Sequence, residues 1–226
     1  MVIGSGARIP YTALSIFNIS GMSYGAISKP AVQALSRGAK TAGIWLNTGE
    51  GGLSPFHLEG GCDVVFQIGT AKFGVRNNDG ELSDEKLREV AAFETVRMFE
   101  IKLAQGAKPG KGGILPGSKV TAEIAKIRGL NVGQSGISPN RHAEVDDWND
   151  LLDLVDRVRS VTGKPVGIKT VVGAKEPIKD FFNAIVARGV ESAPDFIAVD
   201  GGEGGTGAAP MPLIDLVGMS IREALI

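Results

Sequence analysis

The apolar positions of this chain fall into two spacings. In the first third, Ile27, Ala31, Ala34, Leu35 and Ala39 recur at three- and four-residue steps, which predicts a helix over 28–41 with Ser28 as N-cap and Pro30 in its first turn. Leu87, Val90, Ala91, Val96, Met98, Ile101 and Leu103 keep one broad face, predicting a long helix that starts at Ser83 or Asp84 and delivers Lys102 and Gln105. Residues 120–127 also read as helical, as do 150–161, 178–188 and 212–225, with Gly163 and Gly189 as stop signals. Short apolar runs near residues 16, 44, 63, 131, 166 and 196 predict buried strands.

The second half shows the order most plainly. Helix 150–161, strand 165–172, helix 178–188 and strand 195–200 follow one another in steps of about 30 residues, the repeat of a parallel βα sheet. Glycine-rich loops follow several strands, whereas a doubly wound sheet would gather them at one switch point. The expectation is therefore an α/β fold of the (β/α)8 TIM-barrel type, whose sites are built from loops at one face. A complete barrel usually takes about 250 residues, and no seventh or eighth strand is readable after Val217. Residues 1–226 thus read as one partial barrel domain of about six βα units.

Composition narrows the function classes. With 24 basic and 25 acidic residues the chain carries no electrostatic footprint for nucleic acid. No run of eighteen apolar residues predicts a membrane span, and no signal-peptide pattern follows Met1, so a cytoplasmic protein is expected. Cys62 is the single cysteine, too few for an internal disulfide or an iron–sulfur site, and no metal site is predicted.

The chemistry concentrates in the stretch from Glu100 to Gly117, which ends in five glycines and two prolines. Lys102 and Lys108 flank Gln105, and glycine lets backbone N–H groups approach a ligand closely; two ammonium groups with bare amides suit an anion. Ser23 to Ala26 reads either as a backbone cradle for a flat cofactor or as an ordinary strand-to-helix turn. Glu50, in the glycine loop after the strand near 44, reads either as a solvated turn residue or as a carboxylate at a site mouth. Lys169 lies inside an apolar strand and needs an anionic partner there, which favours contact with a ligand. His142, close to Asp146 and Asp147, reads as a surface salt-bridge partner, with a proton shuttle as the alternative. Two phosphate motifs fail. Gly202 to Gly207 satisfies G-x-G-x-x-G, but no second strand with an acid follows it. Gly106 to Lys111 has the wrong spacing for a P-loop and Gly112 where a hydroxyl residue must stand.

Met22-Ser-Tyr-Gly-Ala26, Asn47-Thr-Gly-Glu-Gly-Gly52, Phe73-Gly-Val75, Glu100 to Gly110, Leu115-Pro-Gly117, Ile137-Ser-Pro139 and Asp200 to Ala208 resemble, in the same order, the FMN-binding synthase domain of glutamate synthase. The likeness is greater to its shorter stand-alone members. It implies a barrel holding FMN, in which 2-oxoglutarate and ammonia form 2-iminoglutarate and hydride transfer from reduced flavin yields L-glutamate. The resemblance places Met22, Ser23, Tyr24, Gly25, Ala26, Asn47, Lys102, Gln105, Lys169, Asp200, Gly201, Gly202, Gly204, Gly205, Thr206 and Gly207 around the flavin. Lys169 is then the positive charge beside flavin N1 and O2. Lys108 is assigned to the substrate carboxylate or imine, and Glu50 to ammonia or proton handling. The implied partners are 2-oxoglutarate or another 2-oxoacid, ammonia, and an electron donor such as ferredoxin or an NAD(P)H-linked subunit.

The sequence departs from that family at Ile114, where glutamate synthases usually carry Gln; a polar anchor for the oxoacid is replaced by an apolar side chain. The cysteines of the family's 3Fe-4S cluster and its later phosphate loops lie beyond the matched region. Two other readings follow: an FMN oxidoreductase or synthase acting on another 2-oxoacid or amine, and a flavin-binding fragment without catalysis.

Overall fold

The computed structural model describes residues 1–205, 209–214 and 216–226. Strands β1 (Val2–Ile3) and β2 (Tyr11–Thr12) form an antiparallel pair at the start. Then α1 (Lys29–Ala42) leads to β3 (Trp45–Asn47), the short α2 (Pro55–Leu58) to β4 (Asp63–Ile68), and α3 (Asp84–Ala91) to β5 (Val96–Lys102). A second antiparallel pair, β6 (Ile114–Leu115) and β7 (Gly136–Ile137), encloses α4 (Ala122–Arg128). The chain continues through α5 (Trp148–Thr162), β8 (Val166–Val171), α6 (Lys175–Arg188), β9 (Ile197–Asp200) and the short α7 (Ile221–Ala224).

Strands β3, β4, β5, β8 and β9 pair in that order, all parallel. They make a curled half-barrel sheet, the arrangement of an incomplete TIM-type barrel. The expected strands near residues 44, 63, 166 and 196 are β3, β4, β8 and β9. Four expectations are corrected. Residues near 16 contribute only a parallel bridge from Ile19 to Leu46, while Ile16 and Phe17 face solvent. No strand forms at 131; the chain turns there and pairs only at β7. The long helix ends at Ala91, and the rest of its apolar run is β5. That run is buried on both faces, so it lacks the polar alternation that marks a half-exposed strand. Among the described residues, the helix expected over 212–225 is confined to α7.

Of the caps and stops expected from sequence, Ser28, Ser83, Gly163 and Gly189 hold. Ser28 Oγ accepts from the Ala31 amide, and Gly43 closes α1 in the left-handed region at φ 67°. Asp147 and Asp150 form a capping box that starts α5. Leu151, Leu152, Val155 and Val158 of α5 are fully or almost fully buried, packing with Phe66, Phe99, Val166 and Ile168 of the sheet. Truncating one such leucine to alanine costs about 2–5 kcal/mol. This packing anchors β5 and β8, and so fixes the side chains at their ends.

Candidate active site

Because the five strands are parallel, their C-terminal ends share one edge, and the loops leaving it enclose a cavity of about 720 Å³. Pockets of roughly 300–1,000 Å³ suit a cofactor or drug-sized ligand. The floor is polar and buried. Glu100 of β5 lies opposite Gln67 of β4, and its Oε1 accepts from Gln67 Nε2 at 2.6 Å and from Asn47 Nδ2 at 2.9 Å. Asn47 Oδ1 accepts in turn from the Gly49 amide at 2.9 Å. Asn47 therefore braces the floor and does not line the cavity, whereas Gln67 does. Neither Glu100 nor Gln67 was given a role from sequence: Glu100 fell on the expected helix, and only its place inside the buried strand β5 gives it the signal that Lys169 carries.

The cations divide into two kinds. Lys102 ends β5, a strand and not the expected helix, and its Nζ lies 3.1 Å from Glu50 Oε2 and 3.4 Å from Gln105 Oε1. Lys169, its register partner on β8, lies 3.3 Å from Asp200 Oδ2 at the end of β9. Lys108 and Arg128 differ: both are largely buried, at 7% and 5% exposure, and among the described residues neither has a carboxylate within ion-pair distance. Burial pushes the Lys108 ammonium below the usual lysine range; Lys102 and Lys111 add to that shift and Glu50 opposes it.

Arg128 was not singled out from the sequence, where it lies just past the helix expected over 120–127; in the structure it is the last residue of α4. The folding of α4 against residues 23–24 makes it part of the site. Its Nη2 donates to Ser23 Oγ at 3.1 Å and to the Tyr24 carbonyl at 3.2 Å, and the guanidinium lies 5.1 Å from the Phe73 ring centre. Its Nε is buried without a hydrogen-bond partner among the described residues. The approach is so close that a Cβ on Gly51 would stand 2.8 Å from Nη2. Burial lowers the proton affinity of this guanidinium too, with Glu50 acting in the opposite sense.

His142 is not the surface residue expected. It is 2% exposed, and its Nε2–H donates to the Lys102 carbonyl at 3.0 Å, while Nδ1 has no partner among the described residues. Burial depresses its pKa below 6.5 against the opposing pull of that carbonyl and of Glu144. Glu144 itself pairs with Lys72 at 2.8 Å.

Of the other predicted positions, Met22, Ser23, Gly25 and Ala26 line the cavity with Glu50, Lys102, Gln105, Lys108, Lys169, Asp200, Gly204 and Gly205. Tyr24 instead donates its hydroxyl to Glu123 at 2.6 Å on the outer side. Gly201 and Gly202 support the wall through their backbones: Gly201 O accepts from the Gly204 amide, and the Gly202 amide donates to Met219 O. Thr206 and Gly207 lie outside the described residues. Ile114, on β6, lines the mouth with 59% of its surface exposed. Among the described residues, no three His, Cys, Asp or Glu side chains gather as a metal site, and no helix is long and apolar enough to cross a membrane.

Comparison with known proteins places this geometry in a lineage. A family model described as a conserved region in glutamate synthase matches residues 8–226. A glutamate synthase large subunit-like protein of Bacillus subtilis is 45% identical over 96% of this chain and 41% of its own length. An archaeal-type glutamate synthase [NADPH] of Thermotoga maritima is 38% identical over 91% of this chain and 37% of its own length. An archaeal glutamate synthase [NADPH] of Methanocaldococcus jannaschii is 37% identical over 92% and 37% respectively. The chain spans about two fifths of the length of these relatives.

Proposed function

The chain belongs to the glutamate synthase family, and on that premise we propose that its cavity binds FMN and a 2-oxoacid and carries out the reductive amination of 2-oxoglutarate to L-glutamate. The observation that carries the reading is the pair of buried cations, Lys108 and Arg128, which among the described residues have no carboxylate within ion-pair distance, beside a Glu50–Lys102 ion pair. Two positive charges without an ion-pair partner among the described residues match a dicarboxylate, and a buried guanidinium whose Nε has no partner there is suited to a carboxylate oxygen.

The residues present fit a flavin in volume and in donor set. The 720 Å³ cavity has glycines on facing walls, and Gly21 is so placed that a Cβ there would come within 3.3 Å of Gln67 Nε2. Met22, Ser23, Gly25, Ala26, Lys102, Gln105, Lys169, Gly204 and Gly205 are proposed to hold it. When bound, FMN supplies the hydride. Lys108 and Arg128 hold the substrate carboxylates, and Lys169 brings positive charge to the flavin side of the cavity. Glu50, oriented by Lys102, takes a proton from the nitrogen as ammonia adds to the oxo carbon and returns it to the hydroxyl that leaves as water. The names of the archaeal-type relatives carry NADPH, which supports a pyridine-nucleotide-linked electron donor.

Ile114 favours a second reading, another 2-oxoacid with a less polar side chain, because it places an apolar surface at the cavity mouth. Flavin titration of the chain, followed by anaerobic reduction and mixing with 2-oxoglutarate and ammonia, tests both. Bound FMN reoxidised only when both substrates are present supports glutamate synthesis. Reoxidation by an apolar 2-oxoacid instead supports the second reading, and a chain that binds no FMN overturns the flavin reading.

A further inference from the structure

We propose that Asp200 is a positioning residue that sets, through Lys169, how much positive charge the cavity presents to its flavin. The inference rests on the FMN reading above and concerns a residue that the resemblance had placed merely among the flavin contacts. Asp200 closes β9 in register with Val171, two residues beyond Lys169 on the neighbouring strand, and its Oδ2 lies 3.3 Å from Lys169 Nζ. The same oxygen accepts from the Gly106 amide at 3.0 Å, at the start of the loop that carries Lys108.

The carboxylate has little room to leave this position. Gly204 is packed so closely that a Cβ would stand 2.5 Å from Asp200 Oδ1. The Ala107 amide donates to Gly204 O at 2.7 Å, and a Cβ on Gly106 would fall 1.7 Å from Gly201 O, so the loops after β5 and β9 meet backbone to backbone. Asp200 is thereby held by both loops while it faces the ammonium. Both partners are shielded, at 15% and 24% side-chain exposure, so solvent screens their interaction only in part.

Reduction of a bound flavin adds negative charge to the ring, and a nearby ammonium favours the reduced form. A carboxylate fixed against that ammonium offsets part of its field. Asp200 therefore holds the flavin reduction potential below the value an unpaired Lys169 would set, and keeps the reduced flavin a stronger hydride donor.

The test compares the FMN-loaded parent chain with Asp200→Asn, Lys169→Met and the double variant, measuring reduction potentials by dye equilibration and oxidised-FMN binding by fluorescence. Asparagine keeps an acceptor for the Gly106 amide and removes only the charge. Asp200→Asn is expected to favour reduced over oxidised FMN by about tenfold, a rise of about 30 mV for a two-electron couple. In the Lys169→Met background the same substitution is expected to change that ratio by less than about threefold. Asp200→Ser, which also removes the charge and keeps a hydroxyl acceptor, is expected to move the potential in the same direction and serves if Asp200→Asn does not fold. An unchanged potential in Asp200→Asn, or in Asp200→Ser where that variant serves, overturns the inference, as do equal shifts in both backgrounds. Absence of FMN binding in the parent chain overturns the flavin reading itself, and the inference with it.

Discussion

Lys102 Nζ stands 3.1 Å from Glu50 Oε2, so an ammonium at the end of β5 grips a carboxylate from the loop after β3, across the intervening β4. The two side chains keep only 13% and 20% of their surface in contact with solvent. A pair that shielded is costly to break by removing one partner, because the other charge stays behind.

Lys102→Met is therefore expected to lower stability by about 1–3 kcal/mol and to slow flavin reoxidation by at least about a hundredfold, as Glu50 loses its orientation. Urea unfolding and stopped-flow absorbance read the two effects. Reoxidation at the parent rate would remove the pair from the chemistry.

Arg128→Lys keeps the charge and loses the fork that reaches Ser23 and Tyr24, with an Nε that has no partner among the described residues. The expected outcome is a KM for the 2-oxoacid at least about tenfold higher, with FMN affinity changed much less. Steady-state kinetics with a parallel fluorescence titration separates the two.

The depressed Lys108 pKa has a sign that can be worked out. The native ammonium loses its proton below the ordinary 10.5, so affinity for an anionic substrate is constant at low pH and falls as pH rises through the lowered native value. Between that value and 10.5 the unfolded chain binds more protons, so this group's contribution to stability increases with pH. A profile of substrate KM against pH checks the prediction, and Lys108→Met is expected to flatten it.

His57 and His142 are buried and neutral in the native chain, each with a pKa depressed below 6.5, chiefly by burial. His57 accepts the Ser54 amide on Nδ1 and donates from Nε2 to the Met22 carbonyl, which leaves no site for a second proton without breaking a bond. As pH falls from 6.5 toward the native values, the unfolded chain gains protons that the native chain refuses. Stability is then lost at about 1.4 kcal/mol per pH unit for each histidine. His57→Gln is expected to remove about one proton from the slope of unfolding free energy against pH, measured by urea titration.

Gly106→Ala places a methyl group 1.7 Å from Gly201 O. The loops after β5 and β9 must separate, at a cost of about 1–3 kcal/mol, and Lys108 moves with them. A thermal melt and an FMN titration report the loss, while Gly110→Ala, where a Cβ meets nothing within 4 Å but φ is 69°, is expected to be strained locally without opening that contact.

The folded units with local punctuation were legible. Helix α1 announces itself by Ser28 at its start, and α5 by Gly163 in the left-handed region at its end. β5 was misread because Val96, Met98 and Ile101 fit a helical face as well as a strand buried on both sides, and no Gly or Pro separates it from α3. The site was legible where an ionisable residue sits at the end of an apolar strand, as with Lys169, or among glycines, as with Glu50 and Lys108.

By itself, then, the sequence determined the α/β class, the order of most βα units, the glycine loops at strand ends and the family motifs they carry, because each is written in residues close along the chain. Only the tertiary structure decided which charges meet. Arg128 reaches Ser23 across 105 positions, Asp200 reaches Gly106 across 94, and His142 lies beneath Lys102 instead of at the surface. Such pairings depend on parallel strands bringing distant loops to one edge and on burial that no local pattern records, so the electrostatics of the cavity emerged with the fold.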